Sequence, residues 1–470
     1  MSGTGSILSA PDATHAPDAR DPADEGAEAR SSIQIKALRG SAWTIATFGA
    51  GQVLRLGSNL VLTRLLYPEA FGLMALVQVF LYGLQMVSDV GVATSVIQHR
   101  RGDESRFLNT AWTLQIIRGG ALTLLAALIG QPAAWFYHEP SLGLLLPAVS
   151  LTAAIAGLQS TAVLSLRRHM QLARISLLDL GVQIVGIVTN VVLAYELRSV
   201  WALAIGGVVA ELLRTAVSHR LVPRYRNRLE WDPEAARAIY DFGKWILLSS
   251  ACFFIAGQAD RLYLGKLGGV QILGVFGIAA LFSESLLSLV TNLTQGVLYP
   301  ALSKVAREQP ARICEAYYRA RRFLDLLALP LCGALCAAGS SLISLLYDTR
   351  YQEAGWMLQL LAIRVAMGAV LTPCETCLFA IGQTRYSFQR SLARAVWVVG
   401  GIPIGWWFFG LHGLVTTSAL SEFPVLLVLW PAFRRHGLLR PLREAQSLLL
   451  FGAGFLLGSA LKTAPHWIHR

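Results

Sequence analysis

Long apolar stretches alternate with short polar loops from residue 41 almost to the end of the chain. The apolar stretches fall at about 41–63, 70–97, 107–131, 142–166, 175–195, 200–218, 239–265, 272–300, 320–347, 354–381, 388–409, 411–433 and 445–461. A helix crosses the ~30 Å hydrocarbon layer of a bilayer with about 20 mostly apolar residues, and these segments have about that length. The pattern predicts an all-α, polytopic membrane protein with 12–14 transmembrane helices. The segment at 445–461 is the shortest, and it is compatible with a spanning helix, an interfacial helix or a remnant. Residues 1–31, rich in Ala, Asp, Pro, Gly and Ser without an apolar run, predict a disordered tail. No basic region followed by a hydrophobic one marks a cleavable signal there.

Composition agrees with that reading. Only 14% of the 470 residues are charged and 54% are hydrophobic, whereas soluble domains carry roughly 25% charged residues. The net charge of +12 does not point to nucleic acid, because the basic residues are spread over short loops. Every second loop is basic: Arg100, Arg101 and Arg106; Arg167, Arg168 and Arg174; Arg220 to Arg237; Lys304 to Arg322; Arg385, Arg390 and Arg394; Arg434 to Arg443. The intervening loops Gln131–Leu142 and Phe409–Gly413 contain no Lys or Arg. The positive-inside rule then places the N-terminus and the basic loops in the cytoplasm, and the alternation keeps its phase through twelve helices. The six cysteines lie in or beside apolar segments. Cys374-Glu-Thr-Cys377 has the spacing of a redox motif but not its βαβ surroundings, so packing is the expected role.

The chain also repeats itself. An ungapped shift of 202 residues pairs Trp43 with Trp245, Arg64 with Lys266, Leu65 with Leu267 and Gly72 with Gly274. Six helices separate the copies, an even number, so the halves share one topology, as in parallel-repeat transporters. The expected organisation is a tail (1–31), an N-terminal six-helix bundle (32–218), a cytoplasmic linker (219–238), a C-terminal six-helix bundle (239–436) and an extra hydrophobic segment with a tail (437–470). The two bundles would face each other across a central cavity.

Polar residues line several helices at spacings of three and four, which places each set on one face. The first helix carries Gln52, Arg55 and Asn59, the second Gln78, Tyr82, Gln85 and Asp89, and the eighth Glu284, Ser288, Asn292 and Gln295. Asp260 and Arg261 sit near the outer end of the seventh; Arg118, Arg364, Glu375 and Glu422 interrupt others. An ionisable group at membrane depth costs at least ~2.5 kcal/mol on insertion scales and normally faces a partner or a wet cavity. Arg55, Arg118 and Arg364 have no acidic residue one helical turn away, which suggests an anionic ligand. A guanidinium is permanently charged and forks onto phosphate oxygens, so a diphosphate suits it. The substrate-binding candidates are therefore Arg55, Arg118, Arg364, Gln52, Asn59, Gln85 and Asn292. Asp89, Asp260, Glu284, Glu375 and Glu422 are candidates for charge pairing or ion coupling. No metal site or cofactor is expected.

Three stretches resemble the Wzx-type polysaccharide branch of the multidrug/oligosaccharidyl-lipid/polysaccharide flippase superfamily. They are Gly40-Ser-Ala-Trp43 through Leu62-Thr-Arg-Leu-Leu-Tyr-Pro-Glu-Ala-Phe-Gly72; Ala259-Asp-Arg-Leu-Tyr-Leu-Gly-Lys-Leu-Gly268 with Tyr299-Pro-Ala-Leu-Ser303; and Leu342-Ile-Ser-Leu-Leu-Tyr-Asp-Thr-Arg-Tyr351. The resemblance covers nearly all of the chain after residue 35. It implies a bacterial inner-membrane flippase that moves undecaprenyl-diphosphate-linked oligosaccharide units to the periplasmic leaflet, driven by an ion gradient. Surface polysaccharide (O-antigen, capsule or exopolysaccharide) would be the product. Membrane lipids, a polysaccharide polymerase and a chain-length regulator are the partners to consider. The alternative is a drug or metabolite exporter of the same superfamily, which the excess of arginine disfavours. An enzyme such as a polymerase is less expected, because the outer loops are short and no Asp-x-Asp pair lies at a membrane edge.

Overall fold

The computed structural model describes residues 46–88, 91–169, 171–222 and 226–463, together with Trp43. The tail expected at 1–31 and the candidate Asp89 lie outside these residues. Among the described residues every regular element is helical. Helix α1 covers 46–65. It is followed by α2 (Pro68–Val87), α3 (Ser105–Tyr137), α4 (Leu142–Gly157, continued by Ala162–Arg168 after a 65° bend), α5 (Leu172–Leu197) and α6 (Trp201–Ser218). The second half has α7 (Pro233–Leu267), α8 (Gly269–Leu293), α9 (Ile313–Leu346) and α10 (Ala354–Ala380). The run Arg385–Ala419 folds back on itself at Gly410, whose φ of 56° favours glycine. Its arms are α11 (385–409) and the start of α12, which continues as Phe423–Arg435. Trp397 Nε1 donates to the Thr417 carbonyl at 3.0 Å across this hairpin. The last helix is α13 (Pro441–Thr463).

All thirteen predicted segments thus appear as helices. The segment at 445–461 belongs to a helix of 23 residues, and Pro441–Lys462 is long and apolar enough to cross a membrane. Helices α3, α7 and α9 have 33, 35 and 34 residues. At 1.5 Å per residue they are ~50 Å long and must project beyond the ~30 Å hydrocarbon layer. Exposed aromatic residues gather at helix ends away from the basic loops: Tyr67, Trp135, Phe136, Tyr195, Trp407, Phe408 and Phe409. The Tyr and Trp rings among them, each with a polar edge or tip, suit a bilayer interface.

The two halves meet most tightly at this aromatic side. There α2 crosses α8, and the contact is between repeat-related residues. A Cβ placed on Gly72 would fall 1.7 Å from the Val270 carbonyl oxygen, and one on Gly274 would fall 1.9 Å from that of Pro68. The glycine pair found by the 202-residue shift is therefore one in which each copy packs against the other, as a pseudo-twofold axis requires. Leu66, Leu73 and Leu76 are buried there with Leu264, Leu273, Phe276 and Tyr351. Hydrogen bonds join the same ends: Tyr351 OH to the Leu66 carbonyl at 3.2 Å, Arg350 Nη2 to the Thr63 carbonyl at 3.2 Å and Tyr137 OH to the Leu262 carbonyl at 3.4 Å. The ends on the aromatic side are closed.

At the basic side the connection between halves is held to the N-terminal one. Asn109 Nδ2 donates to Glu230 at 2.9 Å, and Ser160 Oγ donates to Asn227 at 2.7 Å. Asp232 caps α7 by accepting from the Glu234 and Ala235 amides at 2.9 and 3.4 Å, with Pro233 at the first helical position. Arg101 reaches Asp232 at 3.2 Å. Burial opposes the Asp232 charge, but the two amides and the Arg101 guanidinium outweigh it and hold the carboxyl below the usual aspartate range.

Candidate functional site

Helix α1 presents its polar face to the opposite half. Gln52 Nε2 donates to Ser288 Oγ of α8 at 3.0 Å, and Asn59 Oδ1 accepts from Tyr347 OH at 2.9 Å. Arg55 lies between these two bridges, about one turn from each, and is exposed. It has no acidic partner within ion-pair distance among the described residues. With Gln52, Asp179 and Gln183 it lines a cleft of about 330 Å³. Asp179 is itself held by Arg214 at 2.9 Å, and Glu211 lies 3.8 Å from the same arginine. Those three residues form a cluster of their own.

The registry of the two helices places Glu284 opposite Arg55. Helix α1 runs from the basic side to the aromatic side and α8 runs the other way, and Gln52 meets Ser288. Three residues further along α1 is Arg55, and four residues back along α8 is Glu284. The two charges occupy one level on facing helices. Glu284 pairs instead with Arg261 of α7, which also donates to Gln258 Oε1 at 2.9 Å. Both members of the Arg261–Glu284 pair are partly accessible, at 22% and 37% of their side chains.

Deeper in the C-terminal half the charges are matched to one another. Arg364 of α10 is buried, with Nη1 3.1 Å from Asp260 of α7, and Ser418 Oγ of α12 donates to the same carboxylate at 2.9 Å. The sequence-based expectation of an unneutralised Arg364 is thus corrected. Its partner lies 104 residues away, where helical spacing cannot reveal it. From its neighbour Arg261, Asp260 takes only the backbone amide, at 2.9 Å, so these two do not form a side-chain hydrogen-bonded pair. Glu375 pairs with Arg390, while Glu422 receives Arg390 at 3.4 Å and Arg394 at 3.2 Å. Arg261, Arg364, Arg390 and Arg394 are balanced by Asp260, Glu284, Glu375 and Glu422, four against four. In a medium of low dielectric such matching lowers the penalty of burying each charge. Arg364 Nε and Arg394 Nε remain buried without a hydrogen-bond acceptor among the described residues.

Arg390 and Arg394 were read from sequence as loop residues. They lie inside α11, which starts at Arg385, and their spacing of four puts both on the face toward Glu422. That spacing was the available signal. Arg118 serves the end of another helix: its Nε donates to Ser88 Oγ at 3.0 Å and its Nη2 to the Gln85 carbonyl at 2.7 Å. A cation suits the carbonyl-rich C-terminus of α2. Gln85 thus takes part through its backbone. Asn292 is exposed on the last turn of α8, just before the wide π turn Thr294–Leu298. Of the two cysteines in the redox-like spacing, both are buried and free, and Cys374 Sγ lies 3.0 Å from Tyr317 OH.

Comparison with known proteins places this architecture. Residues 61–356 match the family described as polysaccharide biosynthesis protein. The lipopolysaccharide biosynthesis protein WzxC of Escherichia coli K12 is 22% identical over 458 residues, covering 92% of this chain and 89% of its own length. The succinoglycan biosynthesis transport protein ExoT of Rhizobium meliloti is 24% identical over 348 residues, covering 73% and 69%. In fold the chain is similar to the lipid II flippase MurJ in an inward closed conformation, with a TM-score of 0.69 at 13% identity, covering 90% of this chain and 93% of the other. It is also similar to an inward-facing multidrug resistance MATE family transporter, with a TM-score of 0.62 at 13% identity, covering 90% and 99%.

Proposed function

The chain belongs to the polysaccharide biosynthesis protein family, and on that premise we propose that it is a flippase for lipid-linked oligosaccharides. The substrate is an undecaprenyl-diphosphate-linked repeat unit, carried from the cytoplasmic to the periplasmic leaflet of a bacterial inner membrane. The basic loops and the N-terminus lie in the cytoplasm on this reading, because the loop charges alternate strictly. The protein transports and does not catalyse. The names of its relatives, a lipopolysaccharide biosynthesis protein and a succinoglycan transport protein, support the substrate class.

One observation carries the placement of the site: Arg55 stands exposed and, among the described residues, without an acidic partner between two hydrogen bonds that cross the seam, while the buried arginines opposite are neutralised. A diphosphate would compete with Glu284 for nearby cations and take Arg55 as its fixed contact, flanked by Gln52 and Asn59. Arg364 belongs on this reading to the charge-pairing set with Asp260, Glu375 and Glu422, where breaking or titrating one pair would couple an ion gradient to movement of the bundles. The closed outer side and the exposed Arg55 correspond to a state that waits for substrate from the basic side.

The test is surface polysaccharide in a deletion strain complemented with variants. Arg55→Ala should lose the polymer while the protein still accumulates in the membrane, and Arg55→Lys should retain part of it. Normal polymer with Arg55→Ala would remove Arg55 from the site. Normal polymer in the deletion strain, together with a changed drug susceptibility, would favour an exporter of the same superfamily.

A further inference from the structure

The thirteenth helix lies outside the two six-helix halves, yet it is built tightly onto α9. A Cβ on Gly333 would fall 2.1 Å from the Phe451 carbonyl oxygen, and one on Gly454 would fall 2.1 Å from that of Pro330. Near the basic ends of both helices, Arg321 is 1% exposed. It is held by Glu444 at 2.7 Å, Asp325 at 3.1 Å, Tyr317 OH at 3.0 Å and Ser447 Oγ at 2.9 Å. This buried cluster locks the register of α13 on α9.

Beside it the two helices leave a half-open cleft of about 650 Å³. Its charges do not cancel. Arg321 is offset by Asp325 and Glu444, and Arg319 by Glu315 at 2.7 Å. Arg322 and Arg443, which also line the cleft, have no acidic partner within ion-pair distance among the described residues. Arg443 stacks over the Tyr318 ring at 5.4 Å, which fixes its position. Further along each helix the lining becomes apolar: Leu326 is one turn beyond Arg322, and Leu449 and Leu450 are about two turns beyond Arg443. Leu326 and Leu449 are 52% and 73% exposed.

Each wall therefore runs from a free guanidinium to exposed leucine within ~6–11 Å along the helix axis. A soluble anion would use the arginines and leave the leucines idle. A peptide cannot easily follow a cleft that descends into hydrocarbon, where its backbone would lose its hydrogen bonds. A phospholipid has both parts at the required depth: a phosphate at the headgroup level and acyl chains beneath it. Basic pockets between transmembrane helices are suited to such headgroups. We infer that the α9–α13 cleft binds an anionic glycerophospholipid, such as phosphatidylglycerol or cardiolipin, on the bilayer face that carries the basic loops. Arg322 and Arg443 take the phosphate, and Leu326, Leu449 and Leu450 take the first methylenes of the chains. This site is separate from the seam at Arg55, which lies between α1 and α8.

The test is native mass spectrometry of the full chain in neutral detergent, titrated with phosphatidylglycerol or with phosphatidylcholine of the same chains. Phosphatidylglycerol should stay bound and phosphatidylcholine should not. Each exposed arginine near a membrane surface is worth about fivefold in binding, so Arg322→Ala with Arg443→Ala should weaken it about 30-fold. Lysine at both positions should keep most of the binding, and Arg434→Ala with Arg435→Ala should leave it unchanged. Equal retention of the two lipids, displacement by excess inorganic phosphate, or unchanged binding in the double alanine variant would each overturn the site. Arg322 is exposed and Arg443 partly so, and the buried Arg321 cluster is left intact in every variant.

Discussion

Replacing Gly72 with alanine adds one methyl group at the crossing of α2 and α8, and its consequence can be worked out from the backbone. The new Cβ would lie 1.7 Å from the Val270 carbonyl oxygen, with the Gly274 amide nitrogen at 3.1 Å. Ordinary contact begins near 3.4 Å, so the helices must part by up to about 1.7 Å. The obstructing atoms are main chain in a helix, so no side chain can swing aside. Overpacking of this kind costs about 1–3 kcal/mol. That penalty applies only while the ends on the aromatic side are closed, so a two-state transporter would shift toward the form open on that side by roughly 5- to 150-fold. Spin labels at the exposed positions Tyr67 and Leu345, one in each half, would report the separation by double electron–electron resonance. The expected result is a longer-distance population that is small or absent in the parent protein. Gly274→Ala should give the same result, and the two together should be less than additive, because one separation relieves both contacts. Gly277→Ala is the control, since a Cβ there meets nothing within 4 Å. Unchanged distances in a folded Gly72→Ala protein would refute the idea that this crossing closes the aromatic side.

Asp260→Ala should destabilise the protein by about 3–5 kcal/mol, because it leaves Arg364 buried without its partner; thermal unfolding in detergent measures it, and Arg364→Met in the same chain should restore much of the loss. Glu444→Ala should loosen α13 from α9 by removing an acid that accepts from Arg321 and Tyr318, seen as faster proteolysis or hydrogen exchange confined to α13. Asp232 titrates below its unfolded value, so its stabilisation is fully present above the ordinary aspartate pKa near ~4 and is lost as pH falls through the depressed one. Asp232→Asn should flatten that acid limb of the stability curve, while Asp232→Ala should also lower stability at neutral pH through the lost cap.

Much of the architecture was written in short-range patterns. Segment lengths, alternating loop charge and the 202-residue repeat led to thirteen helices and two halves of one topology, because a bilayer selects for continuous apolar runs and against charged loops on the wrong side. The face of α1 was also legible, since Gln52, Arg55 and Asn59 share it by spacing alone, and Gln52 and Asn59 both cross the seam. Spacing could not show who neutralises whom. Arg364 looked isolated because Asp260 is on α7, and Arg394 looked like a loop residue because Glu422 is on another helix.

Patterns along the chain were enough to identify a many-helix membrane protein built from two related halves, and they singled out the polar face that Arg55 occupies. Packing settled which charges are already matched, that Gly72 and Gly274 close the aromatic side against each other, and that the thirteenth helix is locked onto α9. The reason is the range of the forces involved. Hydrophobic burial in a bilayer acts on each segment separately and leaves its mark along the chain. Ion pairs and glycine contacts depend on distances of a few ångströms between segments a hundred or more residues apart, and only packing sets those.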